Sequence, residues 1–243
     1  MRNVSRVFIG RQPILDIKKQ TYAYELLYRA GLQNIFPGIP DTQATIRLLE
    51  NSFCNFGLDR ITGGRRAFIN FSRSFLLSDL TFLAPKMVVI EILEDVAVDE
   101  ELVETVSILK KKGYRIALDD FVFTHQLEPL IPLADFIKVD WLDTSGDERE
   151  AVSRDFASSD TRLIAEKIET ADQFKQACDL GYDYFQGFFF ARPKVLKARE
   201  VKPSRRTRLR IMAAVNHPDV DMEQIHALLV KDPALSVKIL RLV

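Results

Sequence analysis

Carboxylates close four short apolar runs: Glu25 follows Tyr22-Ala23-Tyr24, Glu91 follows Val88-Val89-Ile90, Asp119-Asp120 follows Ile116-Ala117-Leu118, and Glu166 follows Leu163-Ile164-Ala165. A carboxylate costs several kcal/mol to bury unless it is paired or metal-bound. Its repetition at the ends of buried strands points to a divalent-metal site. The competing account is a set of ordinary strand-end carboxylates that cap neighbouring helices.

The elements that must position these groups can be read from the same pattern. Eight apolar or β-rich runs occur: Val7–Leu15, Tyr22–Arg29, Ala67–Ser72, Met87–Leu93, Arg115–Phe121, Phe136–Trp141, Arg162–Ile168 and Tyr184–Phe190. From the third onward they alternate with helical segments, which implies right-handed crossovers in a mostly parallel sheet. Asp99 is placed to cap a helix with Glu100 and Glu101 in its first turn, Leu102, Val106 and Leu109 on one face, and Lys110 to Lys112 before Gly113. Thr170 and Gln173 have capping-box spacing ahead of Phe174, Ala177 and Cys178, and Gly181 ends that helix. The expected class is α/β, a (β/α)8 TIM-like barrel, whose active site lies at the C-terminal ends of the strands, where the carboxylates fall. Only the six residues Asp16 to Thr21 separate the first two runs. That is too short for a crossover and suits a hairpin, so one barrel strand is expected to be antiparallel.

Several stretches carry a resemblance: Gln12-Pro13-Ile14, Glu25-Leu26-Leu27-Tyr28-Arg29, Phe68-Ile69-Asn70-Phe71-Ser72, Glu91-Ile92-Leu93-Glu94, Asp119-Asp120-Phe121, Lys138-Val139-Asp140, Ala165-Glu166-Lys167-Ile168-Glu169 and Gln186-Gly187-Phe188. In this order, and each in or at the end of a strand, they resemble the EAL domain of cyclic-di-GMP signalling, a phosphodiesterase family. The resemblance implies a two-metal site of Mg²⁺ or Mn²⁺ with Glu25, Asn70, Glu91, Asp119 and Asp120 as ligands and Asp119 bridging. All are oxygen donors, as hard cations require. It further implies that Glu166 serves the second metal or water activation, that Lys138 stands beside the attacking water, and that Glu169 and Gln186 support the metals and ligand. Gln12 falls in the nucleotide-binding set, and Arg29 matches a phosphate-contacting arginine.

The departures from the family pattern are local. Where members carry Phe-Gly-Thr-Gly after the paired aspartates, this chain has Phe121-Val122-Phe123-Thr124, so a loop needing positive φ becomes costly. Lys167 replaces a glycine between two glutamates, and Leu26 replaces an alanine. Glu94, which the resemblance implies braces that loop, is retained. Two functions stay open: hydrolysis of cyclic di-GMP to linear pGpG, and a non-hydrolytic module that senses the nucleotide or a protein partner.

Equal numbers of acidic and basic residues, 34 of each, give no overall pull toward nucleic acid or membrane, so phosphate binding must rest on local groups. No apolar stretch reaches the length of a membrane span, and two cysteines, Cys54 and Cys178, without a signal-peptide core fit a reducing cytoplasm. His125 reads as a solvated loop histidine. Residues 1–195 are expected to form the barrel, 196–210 a basic linker, and 211–243 the start of a second, all-α domain. There Asp221 with Gln224 and Asp232-Pro233 can open helices. The stretch Leu228 to Leu242 resembles the opening of an HDOD domain, as in EAL-HDOD signalling proteins. That resemblance allows a protein partner through the helical segment and a homodimer through the barrel.

Overall fold

The computed structural model describes residues 6–29, 31, 41–49, 52, 56–78, 80, 83–121, 127–199 and 222–230. The chain opens with a hairpin, β1 (Arg6–Asp16) and β2 (Thr21–Arg29), turned at Asp16, whose Oδ1 accepts from Gln20 N at 2.8 Å. Helices α1 (Asp41–Leu49) and α2 (Leu58–Thr62) lead to β3 (Arg66–Phe71), and α3 (Arg73–Leu76) leads to β4 (Val88–Ile92). Next come α4 (Glu100–Lys111), β5 (Arg115–Leu118), a 3₁₀ segment (Glu128–Leu133) and β6 (Phe136–Asp140). The barrel ends with α5 (Gly146–Phe156), β7 (Arg162–Glu166), α6 (Ala171–Asp179) and β8 (Tyr184–Phe185). A ninth strand, β9 (Lys194–Arg199), and helix α7 (Met222–Val230) follow.

Strands β2 to β8 pair in parallel and in order, and β1 closes the ring antiparallel to both β2 and β8. This is the barrel with one antiparallel strand that the short hairpin implied. The helix ends follow local chemistry: Asp99 accepts from Leu102 N at 2.9 Å, and Thr170 with Gln173 and Ser145 with Glu148 form capping boxes. Side chains on the outer face of the strands, such as Ile69, Ile90, Leu118 and Val139, pack against Leu102, Val106 and Leu130. Inside the ring, Ile14, Ala23, Phe68, Val89, Ala117, Phe136 and Ile164 form a separate buried layer.

Three strands end two or more residues sooner than the apolar runs suggested, for a backbone reason. β5 stops at Leu118 because Asp120 takes φ 40°, and β7 stops at Glu166 because Lys167 takes φ 54°, both left-handed conformations that a strand does not accommodate. β8 is only two residues long, and Phe188 to Phe190 turn, with Phe190 N and Ala191 N bonded to Gly187 O. Part of the expected basic linker is also ordered differently. Residues 196–199 belong to β9, which pairs antiparallel with β1 from Arg11↔Lys194 to Arg6↔Arg199. Lysines and arginine at 194, 197 and 199 sit on a sheet margin, where charge is tolerated and blunts edge pairing.

Cys178 lies half-buried in α6. Cys54, His125, the altered loop 122–126, residues 200–221 and 231–243 lie outside the described residues, and with them most of the stretch carrying the HDOD resemblance. No helix among the described residues is long and apolar enough to cross a membrane.

Candidate active site

Successive strand residues point to opposite faces, so a residue two positions beyond an inward-facing one also faces inward, one layer further along. Applied to the inner apolar layer, this step gives the site. Ala23 is followed by Glu25, Phe68 by Asn70, Val89 by Glu91, Ala117 by Asp119, Phe136 by Lys138 and Ile164 by Glu166. Tyr184, packed against the same layer, is followed by Gln186. Because β1 runs the other way the step there is backward, from Ile14 to Gln12, and Gln12 pairs in register with Glu25. The sequence therefore stacks one polar ring on one apolar ring at the C-terminal ends of the parallel strands.

At the centre of the polar ring stands Lys138, 1% exposed. Its Nζ lies 2.6 Å from Glu91 Oε1, 2.7 Å from Asp119 Oδ1, 2.9 Å from Glu166 Oε1 and 3.9 Å from Glu25 Oε1. Burial disfavours the ammonium, but the four surrounding carboxylates outweigh it and hold Lys138 protonated well above its usual range. Glu91 and Glu166 are pushed well above the usual carboxylate range, first by burial and then by neighbouring carboxylates, against the pull of Lys138. Four carboxylates around one ammonium leave three negative charges in excess if all ionise. Such an excess is stable only with proton uptake or added cations.

The donor set fits a hard divalent cation. Glu25, Glu91 and Asp119 bring carboxylate oxygens within 4.8 Å of one another, and so do Asp119, Asp120 and Glu166. Asp119 is common to both groups. Buried oxygens at Asn70 Oδ1, Glu91 Oε2 and Asp120 Oδ1 accept no hydrogen bond. Orphaned buried acceptors of this kind are what an oxygen-ligated cation satisfies. Glu91 Oε1, by contrast, is already taken by the Lys138 ammonium at 2.6 Å.

The ring floors a cavity of about 350 Å³ lined by Gln12, Glu25, Arg29, Asp119, Asp120, Lys138, Glu166, Glu169 and Gln186, with Leu27, Leu142, Phe188 and Pro193 as an apolar wall. The volume suits a small-molecule site. Glu91 lies beneath it, and Asn70 opens instead on a smaller adjoining cavity of about 110 Å³, its backbone carbonyl accepting from the Thr45 hydroxyl at 2.8 Å. Gln186 Nε2 donates a short hydrogen bond to Glu25 Oε2. Its position depends on Gly187, where a Cβ would stand 2.1 Å from Ile168 O. Arg29 lies over Gly10, whose missing side chain leaves room for it. Glu169 is exposed at the rim.

The sequence also allows Lys138 a purely structural role, as an ion pair to Asp140 or Glu166; the structure pairs it with Glu166 at 2.9 Å and not with Asp140. Asp140 instead takes a short ion pair from Lys167 and backbone bonds from Leu142 N at 2.7 Å and Asp143 N at 3.1 Å. Phe188, with Arg192 stacked on its ring at 5.5 Å, stands exposed on the cavity wall. Its only signal in the sequence is its place after Gln186-Gly187.

Comparison with known proteins accords with this geometry. The uncharacterized protein YuxH of Bacillus subtilis is 36% identical over 242 residues, covering 97% of this chain and 59% of that protein. The cyclic di-GMP phosphodiesterase CdgJ of Vibrio cholerae is 38% identical over 240 residues, covering 97% of this chain and 56% of that protein. The chain thus spans a little over half the length of these two relatives. The Bacillus subtilis YkuI protein, solved with substrate c-di-GMP and calcium, shares the fold with a TM-score of 0.62 at 18% identity, over 78% of this chain and 56% of that one. The pattern defining the EAL domain matches residues 11–193, from the strand that carries Gln12 to the proline on the cavity wall, and the chain belongs to the EAL domain family.

Proposed function

We propose that this chain is a divalent-metal-dependent phosphodiesterase that opens cyclic di-GMP to linear pGpG. The observation that carries the reading is Asp119, shared between two triads of carboxylates above a buried ammonium. Support also comes from the similarity to CdgJ and to YkuI, named respectively as a phosphodiesterase and as a complex with this nucleotide and calcium. Mg²⁺ or Mn²⁺ pairs, when bound, supply a nucleophile at neutral pH and neutralise phosphate charge.

Glu25, Glu91 and Asp119 would hold one ion and Asp119, Asp120 and Glu166 the other, with Asn70 as a neutral oxygen donor. Gln186 fixes the orientation of Glu25 through its amide hydrogen bond. Lys138, kept charged by its carboxylates, donates toward the reacting oxygen and offsets developing negative charge. Arg29 and Gln12 on the hairpin wall bind phosphate and nucleotide, Arg29 through its fixed fork of donors. Glu169, at the rim, supports the ligand side of the site.

The decisive experiment incubates the protein with cyclic di-GMP and Mn²⁺ and separates the products. Formation of pGpG, lost in Asp119→Asn by a factor of about 100 or more, is the expected result. A second reading, a non-hydrolytic sensor, is favoured by Lys167, whose ammonium lies 3.8 Å from Asp120 where the family pattern has a glycine. Nucleotide binding without product would select it.

A further inference from the structure

The two triads of carboxylates are not electrostatically alike. Beside the group of Asp119, Asp120 and Glu166, and not beside that of Glu25, Glu91 and Asp119, stands a second lysine. Lys167 Nζ lies 3.8 Å from Asp120 Oδ1, a buried oxygen that accepts no hydrogen bond. It is held there. Asp140 is fixed on one oxygen by the amides of Leu142 and Asp143, and its other oxygen binds Lys167. The left-handed backbone at Lys167, φ 54°, is strained for a non-glycine residue, so the lysine occupies a position that glycine would fill with less strain.

We propose that Lys167 is a resident cation that positions Asp120 and lowers the affinity of the Asp119–Asp120–Glu166 group for a divalent ion, so that the two metal positions fill in order. The proposal rests on the two-metal reading above. A fixed ammonium next to a ligand carboxylate repels an incoming divalent ion and already satisfies part of the ligand's charge. The side chain is 48% exposed, so solvent screening reduces the effect to about tenfold in affinity.

The test is calorimetric titration of Mn²⁺ into the metal-free protein without nucleotide, read in wild type, Lys167→Gln, Lys167→Arg and Asp120→Asn. In wild type two unequal steps are expected, with the weaker lost in Asp120→Asn. In Lys167→Gln the weaker step tightens about tenfold while the stronger stays within about twofold, and the difference shrinks as salt is raised. Lys167→Arg, which keeps the charge, behaves as wild type. Two steps with constants unchanged in Lys167→Gln overturn the assignment of Lys167 and leave the metal reading standing. Equal tightening in Lys167→Arg also overturns it, since loss of the lysine's particular contact with Asp140 rather than of its charge would then be responsible. Absence of Mn²⁺ binding in every form overturns both. Thermal melts of the four proteins verify that each is folded.

Discussion

At the scale of the residue, Lys138 decides whether the polar ring can exist without metal. It is the only cation within 4 Å of Glu25, Glu91, Asp119 and Glu166 among the described residues, and it is fully enclosed. Removing one partner of a buried ionic cluster costs about 3–5 kcal/mol, because the others are left unpaired. Lys138→Met should therefore destabilise the metal-free protein by about that amount near neutral pH. Urea unfolding in the presence of a chelator measures it. The loss should be smaller at pH 5 than near neutral pH, because Glu91 and Glu166 are raised by burial and protonation, increasingly favoured as pH falls, removes their need for the ammonium. A loss that is the same at both pH values would mean that Lys138 acts by filling space rather than by charge. Lys167 could not have been assigned its partner from sequence, since Asp140 is 27 residues away and the pairing depends on two strand ends meeting.

At the scale of the element, the site is a consequence of strand period and strand termination. Gly187 shows the second most sharply. Ile168 N donates to Gln186 O at 3.0 Å and Phe189 N to Ile168 O at 3.0 Å, so two chain segments touch where Gly187 has no side chain. A Cβ there would meet Ile168 O at 2.1 Å and Ile168 N at 2.3 Å, and backbone cannot swing away. Gly187→Ala should cost about 1–3 kcal/mol or more and, by shifting Gln186, should also weaken Mn²⁺ binding through Glu25. Gly146→Ala in α5, where a new Cβ meets nothing within 4 Å, is the control and should be neutral or mildly stabilising. Chemical denaturation of the pair separates the two cases, and equal stability would refute the close approach. The two-residue step from apolar to polar layer was legible in sequence, because period-2 alternation needs no knowledge of neighbours. The ends of β5, β7 and β8 were not. Asp120 and Lys167 carry positive φ without being glycine, and a run of apolar residues at 188–190 looks the same whether it extends or turns. β9 was missed because Lys194, Lys197 and Arg199 resemble a solvated tether until the first half of β1, residues 6–11, is seen to pair with them.

At the scale of the whole molecule, the barrel stores charge that it must compensate, and this couples folding to both pH and metal. Glu91 and Glu166 are raised well above 4.5 and Asp120 is raised above 3.8, so the folded chain holds these protons more tightly than the unfolded one. Their contribution to stability is then complete below the unfolded values and is lost as pH rises through the folded ones. Lys138 is raised above 10.5, so its contribution persists up to that value and is lost only at higher pH, outside the working range. Asp140, lowered below 3.8 because Lys167 and two amides outweigh its burial, stabilises at all pH values above that and loses the effect only in stronger acid. Between about pH 5 and pH 8 the carboxylates of the ring therefore dominate, and the metal-free protein should melt at progressively lower temperature as pH rises. Mn²⁺ competes with those same protons, so its binding releases them and its stabilisation should grow over the same interval. Melting curves with chelator and with Mn²⁺ at about pH 5.5, 6.5 and 7.5 should diverge steadily. Parallel curves would show that the ion binds away from Glu91, Asp120 and Glu166, because only a site built from groups that hold protons ties the effect of the metal to pH in this direction.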